Sequence, residues 1–357
     1  MKKIYWLLVI NVIALFFIGI AVQYSSAGGK WLPFAAHQLM VFCVFSLLVI
    51  IMPFLELEFY LKHAYFFYIA AIILLLIVNL FGSHTMGATR WLKIGSVSLQ
   101  PSEFAKIGLI LALAHYFDGQ SVYKIMEFKR LLKALIIILL PVLLVLKQPN
   151  LGTAIIMLFI GASMILTAII KRSQLTICGA LGIVSIPAVW PFLHDYHKQR
   201  ILSFLNPAVD PLGIGYNAQQ SQIAIGSGGL FGKGFVNGSQ AQLGFLPEKH
   251  TDFAFAVLSE EWGFLGSMTL ILLYTSLLTV IFFIAYRSKN YFSKLVSIGI
   301  FAFFGAHFFI NIGMTIGLLP VIGDPLPFLS YGGSTTSASL ICIGLLLSSA
   351  TSLKDLS

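Results

Sequence analysis

The residues that could do chemistry in this chain are few and fall in four polar stretches between long apolar runs. The first runs from Gly87 to Leu92 and on through Gln100-Pro101-Ser102-Glu103-Phe104-Ala105-Lys106. Lys106 lies inside an apolar run, three residues after Glu103, so on a helix the two share a face. They read either as an ion pair at a helix start, where the dipole favours the acid, or as a functional group, because charge inside a membrane is costly. The second stretch, Lys147 to Thr153, reads alone as a tight connector. The third covers Arg200 to Gly234 and then Gly244 to Phe253. Asp252 closes it, immediately before an apolar run, as a helix N-cap or as a carboxylate available for proton transfer. The glycines at 226, 228, 229, 232 and 234 suggest a phosphate loop, but the spacing fails and Gly234 stands where Ser or Thr is needed, which excludes a nucleotide site. His194 and His197 are two histidines in a polar loop, too few for a metal site, and the Asn237-Gly238-Ser239 sequon reads as chance. The fourth stretch, Leu319 to Ser334, is too rich in Pro and Gly for a regular helix. Irregular backbone near a membrane must be buried in protein or line a wet cavity, so this loop is expected to pack over something.

The elements that position these stretches follow from composition. Of 357 residues 58% are hydrophobic and only 10% charged, with a mean hydropathy of +0.93. A soluble domain carries about 25% charged residues, so soluble, disordered and coiled-coil architectures are excluded. The expected fold is an all-α polytopic membrane protein, one integral domain over 1–357. Ten apolar runs are long enough to span: 5–22, 37–55, 64–81, 103–117, 132–146, 153–170, 174–193, 253–285, 294–318 and 335–353. The first reads as a retained anchor rather than a cleaved signal. The large extracytoplasmic loop is 194–252, between spans seven and eight. The basic residues at 2, 3, 62, 124, 129, 130 and 133 favour both termini inside, which puts the polar stretches on the outer face. The net charge of +9 is explained by that bias, and nucleic-acid binding is not expected. Cys43, Cys178 and Cys342 sit in apolar runs and read as small hydrophobes. The run from Phe253 to Tyr286 makes about 51 Å of helix, longer than the bilayer core, so a bend near Gly263 and Gly266 is expected.

Taken in order, the four stretches resemble the SEDS family (shape, elongation, division and sporulation) over nearly the whole chain. Gly238-Ser239-Gln240 followed by Leu246 to Phe253 is similar to its elongation branch, RodA, rather than its division branch, FtsW. The resemblance implies a peptidoglycan glycosyltransferase that polymerises lipid II at the outer face of the bacterial cell membrane during elongation. It implies as partners a class B penicillin-binding protein and other membrane proteins of the elongation machinery. The family's catalytic aspartate maps onto Asp252 and its intramembrane lysine onto Lys106. One position departs: where many members have an acid in Gln-Pro-Asp-Leu-Gly, this chain has Asn150. The amide cannot pair with Lys106, so either a charge pair is not an essential part or Lys106 has another partner, such as Glu103. The pattern predicts that Asn150→Asp is tolerated.

That chemistry is displacement at an anomeric carbon with a lipid pyrophosphate leaving. An α-linked donor and β-linked product require one inversion, hence one general base and positive charge for the departing pyrophosphate. Arg200 and Lys106 lead the expected substrate-binding residues, with Glu103, Arg90, Lys233, Lys249, Glu248, His250 and Ser330 beside them. A divalent cation, Mg or Mn, is compatible with this chemistry, and Glu260 and Glu261 are open to either a cation or a structural network. Two other functions fit the class: a lipid II flippase, which should show a polar trail to the inner loops, and a scaffold, which would not need Asp252.

Overall fold

The structure is a computed structural model that describes residues 2–85, 88–95, 97–120, 127–168, 195–205 and 214–351. The expected span 174–193, His194, Cys178, Gly87 and residues 206–213 of the large loop lie outside them. The helices are α1 (Lys2–Ser26), α2 (Phe34–Ile51, extended by a 3-10 turn, Met52–Phe54), α3 (Leu57–Phe81), α4 (Pro101–Phe117), α5 (Phe128–Leu146) and α6 (Leu151–Ala168). After these come α7 (Asp195–Leu205), α8 (Ile214–Ser227), the short α9 (Ser239–Gln242), α10 (Ala254–Arg287), α11 (Tyr291–Thr315) and α12 (Gly333–Thr351). The described part of each of the other nine expected spans lies mainly on a helix. Among the described residues six of these helices are long and apolar enough to cross a membrane: α1, α2, α3, α6, α10 and α11. The protein is a helical membrane protein.

A small antiparallel sheet between α3 and α4 was not anticipated: β1 (Ser83–Thr85), β2 (Ala88–Ile94) and β3 (Val97–Leu99) pair in that order. Leu92 faces Leu99 and Ile94 faces Val97 across a turn in which Gly95 takes a positive φ. The strands are three to seven residues long, too short for periodicity to announce them.

Apolar side chains on all faces put α11 at the centre, packed against α4, α6, α10 and α12. Around it α3 packs on α4, α1 on α10 and α2 on α12. In α10 the backbone breaks at Gly263 (φ 65°, ψ −159°), as its length led one to expect. The glycine-rich loop fills that break: Lys233 and Gly234 N–H groups donate to the carbonyls of Glu260 and Glu261, and Phe264 and Leu265 N–H groups donate to those of Gly229 and Leu230. A Cβ at 232 or 263 would collide with this backbone, which explains the glycines that mimic a phosphate loop.

Candidate active site

The loop after α11 is the floor of the site, and its buried carbonyls are satisfied by side chains from five helices. Arg200 Nη1 of α7 donates to Val321 O (3.0 Å) and Ile322 O (2.5 Å). Asn311 and His307 of α11 take Asp324 O (2.8 Å) and Pro325 O (3.1 Å). Tyr274 of α10 donates to Pro327 O, Gln38 of α2 to Phe328 O (3.3 Å) and Gln23 of α1 to Leu329 O (3.0 Å). Ser330 bonds the Leu326 N–H (2.9 Å) and so shapes the turn rather than facing the site. An irregular chain can sit at membrane depth because the surrounding protein meets its polar backbone.

Asp252 comes from the opposite wall, at the end of a turn closed by hydrogen bonds from the Thr251 and Phe253 N–H groups to Glu248 O (3.1 and 3.3 Å). The Glu248 carboxylate takes the Thr251 hydroxyl (3.0 Å), and the His250 ring stacks on Phe34 at 4.3 Å. Burial lowers the His250 pKa below its ordinary value. Tyr331 N–H and Gln23 bind His250 O at 2.8 and 3.1 Å, joining the turn to the loop floor. The N-cap of α10 is Phe253, with no side-chain cap, so Asp252 is not the helix cap that its position suggested.

Gly323 lies between the two reactive-looking groups. Its φ is +80°, and a Cβ there would stand 3.1 Å from Asp252 Oδ2 and 3.6 Å from Arg200 Nη1. A Cβ would press on the Asp252 carboxylate and touch the Arg200 guanidinium, and the positive φ itself favours glycine. The Asp252 pKa is raised to about 7. Its dense protein surroundings are the main cause, with the charges of Glu248 and Asp324 adding to it and Arg200 and Arg90 opposing. A carboxylate poised near neutrality suits a general base.

Lys106 is fully buried, and its ammonium reaches Glu103 Oε1 (2.8 Å) and His307 Nε2 (2.9 Å), over the Phe303 ring at 5.1 Å. Because His307 Nδ1 faces a carbonyl it carries the proton, which leaves Nε2 to accept from the lysine. Glu103 is therefore the partner that the amide at 150 implied. The stretch from Lys147 to Thr153 is more than a connector: Arg90 Nη2 donates to Pro149 O, and Thr153 Oγ1 donates to Asp324 Oδ1 (3.4 Å).

Two expected substrate ligands are engaged elsewhere. Lys233 pairs with buried Glu260 (2.7 Å) and Ser239 (2.7 Å), and Lys249 donates to Ala241 O. Glu260 also accepts the Gln240 and Ala241 N–H groups (2.9 and 3.3 Å), while Glu261 takes the Ser25 hydroxyl. These acids hold the glycine loop and α9. Asp324, His307 and Asn311 went unsingled by sequence reasoning, although polar residues at 307 and 311 in an apolar helix, four apart, share a face. Among the described residues no group of three or more His, Cys, Asp or Glu could hold a metal.

A family model described as cell cycle protein, spanning FtsW, RodA and SpoVE, matches residues 1–355. The peptidoglycan glycosyltransferase MrdB of Escherichia coli (strain K12) is 43% identical over 82% of this chain and 79% of its own. Peptidoglycan glycosyltransferase RodA of Treponema pallidum (strain Nichols) is 32% identical over 96% of both chains. Among solved structures, a chain from a peptidoglycan synthase complex that coordinates polymerization and crosslinking superposes with a TM-score of 0.83, at 32% identity over 96% of both. The crystal structure of the rod shape determining protein RodA of Thermus thermophilus superposes with 0.72, at 29% identity over 96% of this chain and 95% of that one. Matched along almost its whole length, the chain belongs to the FtsW/RodA/SpoVE family.

Proposed function

We propose that this chain is a peptidoglycan glycosyltransferase that polymerises lipid II during cell elongation, by a single inverting displacement with Asp252 as general base. The observation that carries the mechanism is that Asp252 and Arg200 both come up against Gly323, with the Arg200 charge acting on the Asp252 carboxylate. A base with a pKa of about 7 takes the proton of the acceptor sugar hydroxyl. Arg200 and Arg90 place positive charge beside it for the departing pyrophosphate, which leaves without protonation. Lys106, engaged with Glu103 and His307, acts from behind the loop floor. A divalent cation would be held here by Asp252 together with substrate phosphates, because the Asp324 carboxylate is turned to Thr153. That fits the way magnesium is held by one or two carboxylates together with substrate phosphates. When bound, it would supply further positive charge to the leaving group.

The polar groups cluster at one end of the bundle, which favours a surface enzyme over a flippase. With both termini cytoplasmic, that end faces outward in the bacterial cell membrane, where a class B penicillin-binding protein would crosslink the product. The test is to purify the full chain with and without its cognate penicillin-binding protein, add lipid II and magnesium, and resolve the products. Glycan ladders are expected. Lipid II transfer between leaflets without any ladder would overturn the proposal in favour of transport.

A further inference from the structure

Two side chains on different loops meet at Thr153. Asn150 Oδ1 accepts from the Thr153 N–H (3.4 Å), and Asp324 Oδ1 accepts from the Thr153 hydroxyl (3.4 Å). Both are buried, at 3% and 2% exposure. The Asp324 carboxylate occupies a niche that exists because residue 152 is glycine, since a Cβ there would overlap its Oδ2. That Oδ2 has no hydrogen-bond partner, so one long bond is all that ties the side chain by hydrogen bonding. A carboxylate this bare is costly to bury unless charge compensates it. The compensating charges are Lys106 and Arg90, with Glu103 opposing. Lys106 has Glu103 as its ion-pair partner, and Glu103 Oε2 is itself without a hydrogen bond. Removing Asp324 would leave positive charge in excess here. Adding an acid at 150 would set two like charges about one threonine, a geometry in which both cannot ionise cheaply.

We infer that positions 150 and 324 act as a single-acid pair. One of them, and only one, carries the carboxylate that balances the buried Lys106 and the half-buried Arg90, and this chain carries it on the loop after α11. Asp324 is thus a positioning residue for the site that holds Asp252. The inference accounts for the amide at 150 and reverses the expectation that Asn150→Asp alone is tolerated. It rests on the polymerase reading only for its activity readout.

The test uses four full-length proteins: wild type, Asp324→Asn, Asn150→Asp, and the swap carrying both. Each is measured for thermal midpoint in one detergent and for polymerisation of lipid II. Each single change is expected to lower the midpoint and cut polymerisation at least about 10-fold, and the swap to recover to within about 3-fold of wild type. Independent losses that multiply in the swap would overturn the inference, as would an Asp324→Asn protein indistinguishable from wild type. If a single variant does not fold, a folded swap supports the pair and an unfolded swap overturns it. Failure of the polymerase reading would show separately, as a wild type without glycan product, while the four midpoints still rank the charge arrangements.

Discussion

Replacing Asp252 by asparagine should make the protein more stable above neutral pH and nearly inactive at once. In the unfolded chain this carboxyl titrates near 3.8, and in the fold it is pushed up to about 7. Between those values the folded state binds more protons. The stability contributed by this group is therefore full below about pH 4, falls as pH rises through the folded value, and stays lowered above it. A gap of about three units, at 1.36 kcal/mol each, sets a ceiling of about 4 kcal/mol on that penalty. Residue 252 keeps partial solvent access, which lowers the expected gain of the neutral isostere to roughly 1–3 kcal/mol. Below pH 4 the gain should vanish. Polymerisation should move the other way: wild-type rate rises with pH through about 7 as the base ionises. The Asn variant should lose on the order of 10²–10⁴-fold, the usual contribution of a positioned base. Glycan ladders from lipid II, read with thermal midpoints at pH 5 and 8, measure both quantities on one preparation. Near-wild-type ladders from a folded Asp252→Asn protein would refute the assignment. A fall in its midpoint at pH 8 would refute the electrostatic account of the site.

Lys106→Met should insert but lose activity, with a stability loss of about 3–5 kcal/mol because Glu103 is left as an uncompensated buried charge. Adding Glu103→Gln should restore the midpoint but not the glycan product, and full activity in folded Lys106→Met would make the lysine merely structural. Asn311→Leu removes the one amide that binds both Asp252 O (3.0 Å) and Asp324 O (2.8 Å). It should lower kcat on the order of 10²-fold through misplacement of the base, with a smaller change in lipid II KM. Equal kcat in a folded variant would mean the amide only holds the loop. Gly323→Ala should cost about 1–2 kcal/mol for the left-handed backbone, and its methyl, 3.1 Å from Asp252 Oδ2, should push the carboxylate aside. Its activity should fall further than its midpoint, and a proportionate fall in both would point to strain alone.

The helical architecture was legible because apolar runs of span length leave a membrane no alternative, and the break in α10 was legible because 34 residues exceed a bilayer. Asp252 and Lys106 stood out as charge beside or inside apolar sequence, and Arg200 was one of several basic residues in the polar loops. What sequence could not give was which charge meets which. Lys233 and Lys249 look as available as Arg200, yet Glu260 and the Ala241 carbonyl engage them, because the glycine loop folds into the break at Gly263. The connector at 147–153 looked ordinary since its role is to receive a side chain from a loop 171 residues away in the case of Thr153 and Asp324. The β-ribbon was hidden by its brevity, and Ser330, exposed-looking in a polar motif, turned out to bond its own turn.

The arrangement of α11 explains why a floor with no regular structure can still hold reacting groups in place. His307 and Asn311 lie four residues apart on one face of the central helix α11. His307 ties Lys106 on one side to Pro325 O on the other, and Asn311 ties the loop to the Asp252 turn. Lys106 of α4 is thereby linked to the loop, and the loop to the Asp252 turn, through hydrogen bonds between buried partners. Such bonds are expensive to break without replacement. The charge on Asp324, set between these ties and the 149–153 turn, raises the pKa of Asp252 and is itself favoured by Lys106 and Arg90, while its hydroxyl bond from Thr153 fixes its place. Position and electrostatics are therefore not separable contributions here, since the same few buried groups determine both.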